Sequence, residues 1–189
     1  MQNKARSVSI TGILAALSAI LFVYPHFVVL PGFPMFKMDF ADIPALLAGT
    51  VVSPLSGVVV VLIRNAVHLF MTDTLGIGEL SNFIVSASYV VFASYIIKRA
   101  KTSASLGRLT AAMTAATAAA VLVSALSNYF LIIRLYEMFV NPEIMSFVGG
   151  VKNYIIAGVL PFNAVKAALN SVIFIMVYKS LVPKIRRYI

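Results

Sequence analysis

The sequence predicts an all-α integral membrane protein: a six-transmembrane-helix bundle with one short second helix and an outer lid loop. Three observations carry that prediction. Hydrophobic residues make up 61% of the 189-residue chain and charged residues 11%, with a mean hydropathy of +0.98; soluble domains average about 45–50% and 25%. The apolar residues fall in six continuous runs without two-residue alternation, which favours helices over a transmembrane barrel. The basic residues gather on one side of those runs, as orientation in a bilayer requires. Six such runs at this length make one transmembrane domain, residues 1–189, with no room for a separate soluble catalytic module.

The first run, residues 7–24, follows Lys4 and Arg6 and has the charged-then-apolar order of a signal peptide. Apolar character continues through Pro25 to Leu30 without a small-residue cleavage site, so the run reads as a retained helix. Residues 26–38 are strongly apolar for a loop, with Pro31, Gly32 and Pro34 among aromatics. Such a segment needs cover, either packed into the bundle or laid over a cavity as a lid. The second run, 40–52, makes about 20 Å of helix against a ~30 Å hydrocarbon core, so it is tilted or partly interfacial and buried by its neighbours. A turn at 53–57 leads to the third run, 57–71; the fourth covers 80–97. The fifth, 109–133, is alanine-rich over 109–126, which lets helix backbones approach closely. The sixth is 153–178. No period of 20–50 residues recurs and the two halves carry no matching broken helices, which argues against a large inverted-repeat secondary transporter.

Ten of the 15 basic residues lie before run one, between runs four and five, or after run six: Lys4, Arg6, Lys98, Arg99, Lys101, Arg108, Lys179, Lys184, Arg186 and Arg187. The positive-inside rule makes that side, and both termini, cytoplasmic. Asp39, Asp42, Asp73, Glu79, Glu137 and Glu143 all fall in or beside loops on the other side. The net charge of +9 is thus a matter of topology rather than of nucleic-acid binding. The absence of cysteine excludes disulfides and thiolate metal sites. No G-x-x-x-x-G-K-[ST] is present, Gly76-Ile77-Gly78 is a lone G-x-G, and His26 and His68 lack metal-ligand spacing. Each histidine reads as satisfied by a neighbour, and no catalytic constellation marks an enzyme.

Lys166 stands near the middle of run six, with Asn163 one turn before it and Asn170 four residues after. A charge at that depth costs roughly 2.5–3.5 kcal/mol on insertion scales unless paired, solvated or bound. Both surfaces are several turns away, so snorkelling is a poor account. A specific polar role is favoured over structural pairing, and no acidic residue lies within an apolar run to answer the charge, which lowers a proton-relay reading. Asp39 and Asp42 share one face at the start of run two, where they either cap the helix or meet a ligand. Glu79, Ser81 and Asn82 open run four, and Asn128 and Tyr129 lie toward the outer end of run five. Together with Asn163 and Lys166 they suggest an outward-open, mostly apolar cavity with a few directed polar contacts. That set suits a flat organic ligand with carbonyls and an N–H on one edge. Gly12, Ala15, Ala16 and Ala19 put small residues at helical spacing on run one, for internal packing or for docking another membrane protein.

At these residues the chain resembles the substrate-binding S components of energy-coupling factor (ECF) vitamin transporters, and specifically their riboflavin group. The resemblance covers nearly the whole chain. It rests weakly on the A-x-x-x-A of Ala15 and Ala19, and G-E-L-S-N-F at 78–83 is a further family-like piece. It rests strongly on K-M-D-F-A-D-I-P-A-L-L at 37–47 and P-F-N-A-V-K at 161–166. It implies a cell-membrane subunit that binds riboflavin as transported substrate, with no cofactor. Partners would be a transmembrane T component, met by Gly12, Ala15 and Ala19, and two cytoplasmic ATPases; the family mechanism topples the subunit to release substrate inward. Asn128, Asn163 and Lys166 would then address polar edges of the ring or ribityl oxygens. Asp39 would accept from ribityl hydroxyls, Phe33 and Phe36 would cover the ring, and Glu79 and Asn82 would complete the pocket. An S component for another vitamin, or an ion-coupled transporter relaying protons through Lys166, is the alternative.

Overall fold

The structure is a computed structural model and describes residues 2–25, 27–33, 35–72, 74–99 and 105–185. Expectations that fall on His26, Pro34, Asp73, Lys101, Arg186 and Arg187 lie outside the described residues, as does the side chain of Lys184. The elements run α1 (Gln2–Val23), β1 (Phe27–Val28), β2 (Lys37–Met38), α2 (Asp42–Val51), α3 (Pro54–His68) and α4 (Ile77–Arg99). They continue with α5 (Leu106–Ser127), α6 (Ile133–Phe139), α7 (Ile144–Phe147), α8 (Gly150–Asn153) and α9 (Leu160–Ile185). A π-helical turn, Asn128–Ile132, joins α5 to α6, and a second, Tyr154–Val159, joins α8 to α9. Five helical rods are long and apolar enough to cross a membrane: Lys4–Val23, Pro54–Met71, Ile77–Arg99, Leu106–Phe139 and Gly150–Val182. With the short α2 they make the six-helix bundle that the sequence predicts.

Local chemistry explains where the boundaries moved. Run three begins at Pro54 rather than after a turn ending at Gly57. Ser53 is the N-cap, its Oγ accepting from the Ser56 N–H at 3.0 Å, and Pro54 occupies the first helical position, where no N–H is needed. Runs five and six are longer than expected because their outer ends, carrying Arg134 and Lys152, remain helical past the apolar stretch.

The second crossing is only half helix. At 10 residues, α2 rises about 15 Å, half of the ~30 Å hydrocarbon thickness. Its C-terminal end lies at the basic end of the bundle, where the Lys98 ammonium donates to the Val52 carbonyl at 2.6 Å. Asp42, at its start, therefore sits near mid-depth. Above it the chain is non-helical: a two-residue antiparallel ladder pairs Phe27 with Met38 and Val28 with Lys37, and residues 39–41 drop into the bundle. Non-helical backbone at this depth is tolerated only inside protein. Ser18 of α1 donates to the Ala41 carbonyl at 2.7 Å, answering one such group.

Nine residues of α2 are buried, so it is the apolar-all-round helix expected at a centre. Ala45, Leu46 and Ala48 pack with Val60 and Val61 of α3, Tyr89, Val90 and Ala93 of α4, Leu109, Met113 and Ala116 of α5 and Phe174 of α9. The alanine spacing of α5 (Ala112, Ala116, Ala120) faces inward, as its composition suggested. Outward faces carry bare aliphatics such as Ile13, Ile20, Leu62, Leu122 and Met176. Backbones approach closely at Gly57, where a Cβ would meet the Ala45 carbonyl at 2.8 Å, the Gly49 Cα at 3.0 Å and the Val90 side chain. Gly57→Ala is expected to lower the melting temperature, overpacking costing about 1–3 kcal/mol. Gly107→Ala, with open space at its Cβ, is the matched control and is expected to leave the thermal unfolding midpoint unchanged or slightly raised.

Candidate functional site

The half-helical crossing leaves a cavity of about 580 Å³ between the hairpin segment and helices α3, α4, α5 and α9. Its polar floor is built from two buried ion pairs. Lys166 Nζ donates to Asp39 Oδ2 at 2.6 Å, and Arg64 Nη2 donates to Asp42 Oδ1 at 2.7 Å. Arg64 is 0% exposed, and Asp39, Asp42 and Lys166 are each 5% or less. The expectation that no carboxylate answers Lys166 is therefore overturned. Asp39 and Asp42 are not outer-loop residues, because the short α2 carries its entry to mid-depth. Nor is Asp39 the N-cap: Ala41 holds that position without a side-chain bond, and Asp39 Oδ1 accepts from the Ala41 N–H at 3.0 Å in a local turn.

Each pair is braced. Arg64 Nη2 also donates to Ser86 Oγ at 2.7 Å and to Asn82 Oδ1 at 3.0 Å, so one guanidinium orients three cavity-wall side chains. Asn170 donates to the Asp39 carbonyl at 3.1 Å and to its own helix at the Lys166 carbonyl, 3.0 Å. Phe22 of α1 lies beneath both cations, its ring 5.2 Å from the Arg64 guanidinium carbon and 5.9 Å from Lys166 Nζ. Tyr89 reaches across to α9, donating to the Ala167 carbonyl at 3.0 Å with Ser171 Oγ 2.6 Å away.

The outer wall comes from the two π-helical turns. Such turns are rare and cluster at functional sites, because the extra residue swings a side chain inward. Asn128 begins the first and Tyr154 the second, and the Tyr154 hydroxyl donates to Asn128 Oδ1 at 3.4 Å. Asn128 also donates to Ser81 Oγ at 3.3 Å and to the Ser124 carbonyl at 2.8 Å. Among the described residues Asn163 bonds only its own helical rod, donating to the Val159 carbonyl at 2.8 Å, and it lines the cavity. An aromatic stack closes the top: Phe36 lies 4.9 Å from Phe162 at an interplanar angle of 16°.

Asp39, Asn128, Asn163, Lys166, Phe36, Glu79 and Asn82, all expected from the sequence, line this one cavity. Phe33 does not. It packs behind Phe36, 5.9 Å from it, in a second apolar cluster with Ile133, Met145, Tyr154 and Val159, and both rings are seated against Gly158. Glu79 is consumed by its own loop, its carboxylate lying 2.6 Å from His68 Nδ1 and accepting from Thr72 and Thr74 at 2.9 and 3.1 Å. That contact is the neighbour expected to satisfy His68. On α1, Ala15 faces the core and Ala19 is half-buried, whereas Gly12 and Ala16 face outward. Ala15 thus serves internal packing, and the outward small-residue pair, Gly12 and Ala16, lies three positions before the A-x-x-x-A. Among the described residues no three His, Asp or Glu groups converge as metal ligands. The residues that sequence reasoning missed include Arg64, Ser86, Tyr89, Tyr154, Phe162 and Phe22. Arg64 carried a signal as strong as that of Lys166, a cation inside an apolar run.

Residues 6–178 match the family described as "ECF transporter, substrate-specific component". The chain belongs to that family. It is 29% identical over 187 residues to the riboflavin transporter RibU of Staphylococcus aureus (strain TCH60), covering 99% of this chain and 95% of the relative. It is 31% identical to RibU of Streptococcus thermophilus (95% and 84% covered) and 26% identical to the riboflavin transporter FmnP of Bacillus subtilis (97% and 96%). A solved S component of a bacterial ECF transporter superposes with a TM-score of 0.77 at 28% identity, over 98% of this chain and 99% of the other.

As an S component the chain is a multi-pass membrane protein with a transport role. The buried pairs make this site depend on charge balance. Arg64→Met leaves Asp42 uncompensated at mid-depth and is expected to destabilise the protein by about 3–5 kcal/mol. Arg64→Met with Asp42→Leu removes both charges and is expected to recover most of that loss, read as the thermal unfolding midpoint in detergent.

Proposed function

We propose that this S component binds riboflavin with high affinity from the extracellular side of the cell membrane. It passes the vitamin inward with a transmembrane T component and two cytoplasmic ATPases. Both termini are cytoplasmic in this reading, because Lys4, Lys98, Arg99, Arg108 and Lys179 lie at the end of the bundle opposite the cavity mouth. The riboflavin transporters related over nearly the whole chain support the choice of vitamin.

The observation that carries the reading is the composition of the cavity. Aromatic rings of Phe36, Phe162 and Tyr154 line it together with the polar side chains of Asn128, Asn163, Lys166 and Asp39. Riboflavin is neutral, with a planar tricycle, one edge of carbonyls and N–H, and a ribityl chain of hydroxyls. Flat rings suit the tricycle, amides offer both donor and acceptor to the edge, and a lysine–carboxylate pair meets hydroxyls in both senses. A volume of about 580 Å³ lies within the usual range of small-molecule sites. Gly12 and Ala16, the outward small residues of α1, are where another membrane helix would approach closely, and the T component is the partner we assign to them.

Relay of protons through Lys166 is the weaker reading, though not for the reason the sequence suggested. Carboxylates are present at mid-depth, but each is closed on a cation, and Arg64 does not release its proton. Neither offers a free acceptor to a travelling proton.

Asn163→Ala tests the site without disturbing an ion pair. It is expected to weaken riboflavin binding at least ~10-fold, about 1.4 kcal/mol, with the ligand-free melting temperature unchanged, as read by quenching of flavin fluorescence. Wild-type affinity in that variant would remove Asn163 from the site. Purified protein that carries no flavin absorption and binds no added riboflavin would remove the vitamin assignment.

A further inference from the structure

Among the described residues, five basic residues lie away from the basic end: Lys37, Arg64, Arg134, Lys152 and Lys166. Arg64 and Lys166 are consumed by buried ion pairs, and Lys37 lines the substrate cavity. The remaining two, Arg134 and Lys152, line a single separate cleft of about 630 Å³ between α6 and α8. Both are exposed, and among the described residues neither is in an ion pair. Cations on this side of the membrane run against the charge distribution of the rest of the chain, and their convergence on one cleft needs a cause.

Their depth is set by the helices that carry them. Arg134 follows Arg108 by 26 residues and Lys152 precedes Lys179 by 27, along two near-continuous helical rods. At 1.5 Å per residue each pair is about 40 Å apart, the thickness of a bilayer with its headgroups, about 40–45 Å. Arg108 and Lys179 reach one headgroup layer, so Arg134 and Lys152 reach the other. The rest of the cleft is graded accordingly. Tyr129 is five residues nearer the membrane centre than Arg134, and Ile155 and Ile156 are three and four nearer than Lys152. Tyr129 and Ile156 are exposed, on the acyl-chain side of the two cations. Glu137, one turn beyond Arg134, is the single acid in the cleft.

We propose that this cleft binds an anionic phospholipid with a polyol headgroup, phosphatidylglycerol in chemistry, from the leaflet opposite the basic end. The phosphodiester sits between Arg134 and Lys152, where the cleft's net charge of +1 complements it. Glu137 accepts hydrogen bonds from the headgroup hydroxyls, and an acyl chain lies on Tyr129, Ile155 and Ile156. A zwitterionic choline lipid offers the same phosphate but brings a cation without hydroxyls, so it is held less well.

The test uses the full chain, with phosphatidylglycerol and phosphatidylcholine of identical acyl chains, read by native mass spectrometry and by thermal unfolding in nanodiscs. The expected result is one retained phosphatidylglycerol, at least ~10-fold preferred, lost in Arg134→Gln/Lys152→Gln and in the single variant Lys152→Glu. Arg108→Gln/Lys179→Gln, altered at the opposite ends of the same helices, is expected to keep it. Equal retention of the two lipids by the unaltered chain, or an undiminished preference in the cleft variants, would overturn the proposal. So would inorganic phosphate displacing the lipid effect, since it would mark a soluble-anion site.

Discussion

Two buried ion pairs, Lys166–Asp39 and Arg64–Asp42, hold the rest of this structure in place. A chain that crosses a bilayer partly as non-helical backbone must answer its polar groups from within the protein. Here the entry to α2 does so by presenting two carboxylates, three residues apart, to cations rising from α9 and α3. The quartet is neutral in sum, which lowers the cost of carrying four charges at mid-depth. Because each cation also meets the Phe22 ring, α1 is tied to the same point. The outer half of the crossing then remains open above the quartet, and that opening is the cavity.

The two π-helical turns complete what the ion pairs begin. A regular helix through residues 128–132 or 154–159 would present a different face at each level. With the turns in place, Asn128 and Tyr154 meet each other and the cavity. Gly158, within the second turn, leaves the space that Phe33 and Phe36 occupy, since a Cβ there would stand 2.8–2.9 Å from their rings. The apolar hairpin segment is thereby seated on the sixth segment. Phe36 of the aromatic roof and Asp39 and Asp42, the carboxylates of the polar floor, belong to one short stretch, residues 36–42.

Much of this was legible in the sequence, and the limits have physical reasons. Hydropathy and the sorting of lysine and arginine expose long membrane helices regardless of tertiary detail, and the length of run two showed that it could not span alone. The polar residues of the cavity stood out because polar groups in apolar runs are costly. What sequence could not supply was depth. Asp39 and Asp42 lie in a segment with loop composition, so they read as outer residues, and the partner of Lys166 went unseen 127 positions away. Arg64 was hidden for the opposite reason, in a run that was read only for its apolar character. Helical spacing made Ala15 and Ala19 stand out on α1 but did not say which side of that helix the core would cover. Phe33 and Phe36, close in sequence and both seated against Gly158, differ in role because only Phe36 stacks on Phe162 and lines the cavity.

The central claim is that the Lys166–Asp39 pair is both a structural clasp and part of the substrate site, and one measurement separates these roles. Lys166→Met combined with Asp39→Leu removes both charges together, leaving no unpaired ion in the core. Titration of riboflavin into the purified double variant, beside its ligand-free unfolding midpoint, gives the two readouts at once. The account predicts a folded protein of near wild-type midpoint whose affinity falls at least ~100-fold, about 2.7 kcal/mol. A folded double variant with wild-type affinity would contradict it, and would reduce the pair to a clasp alone.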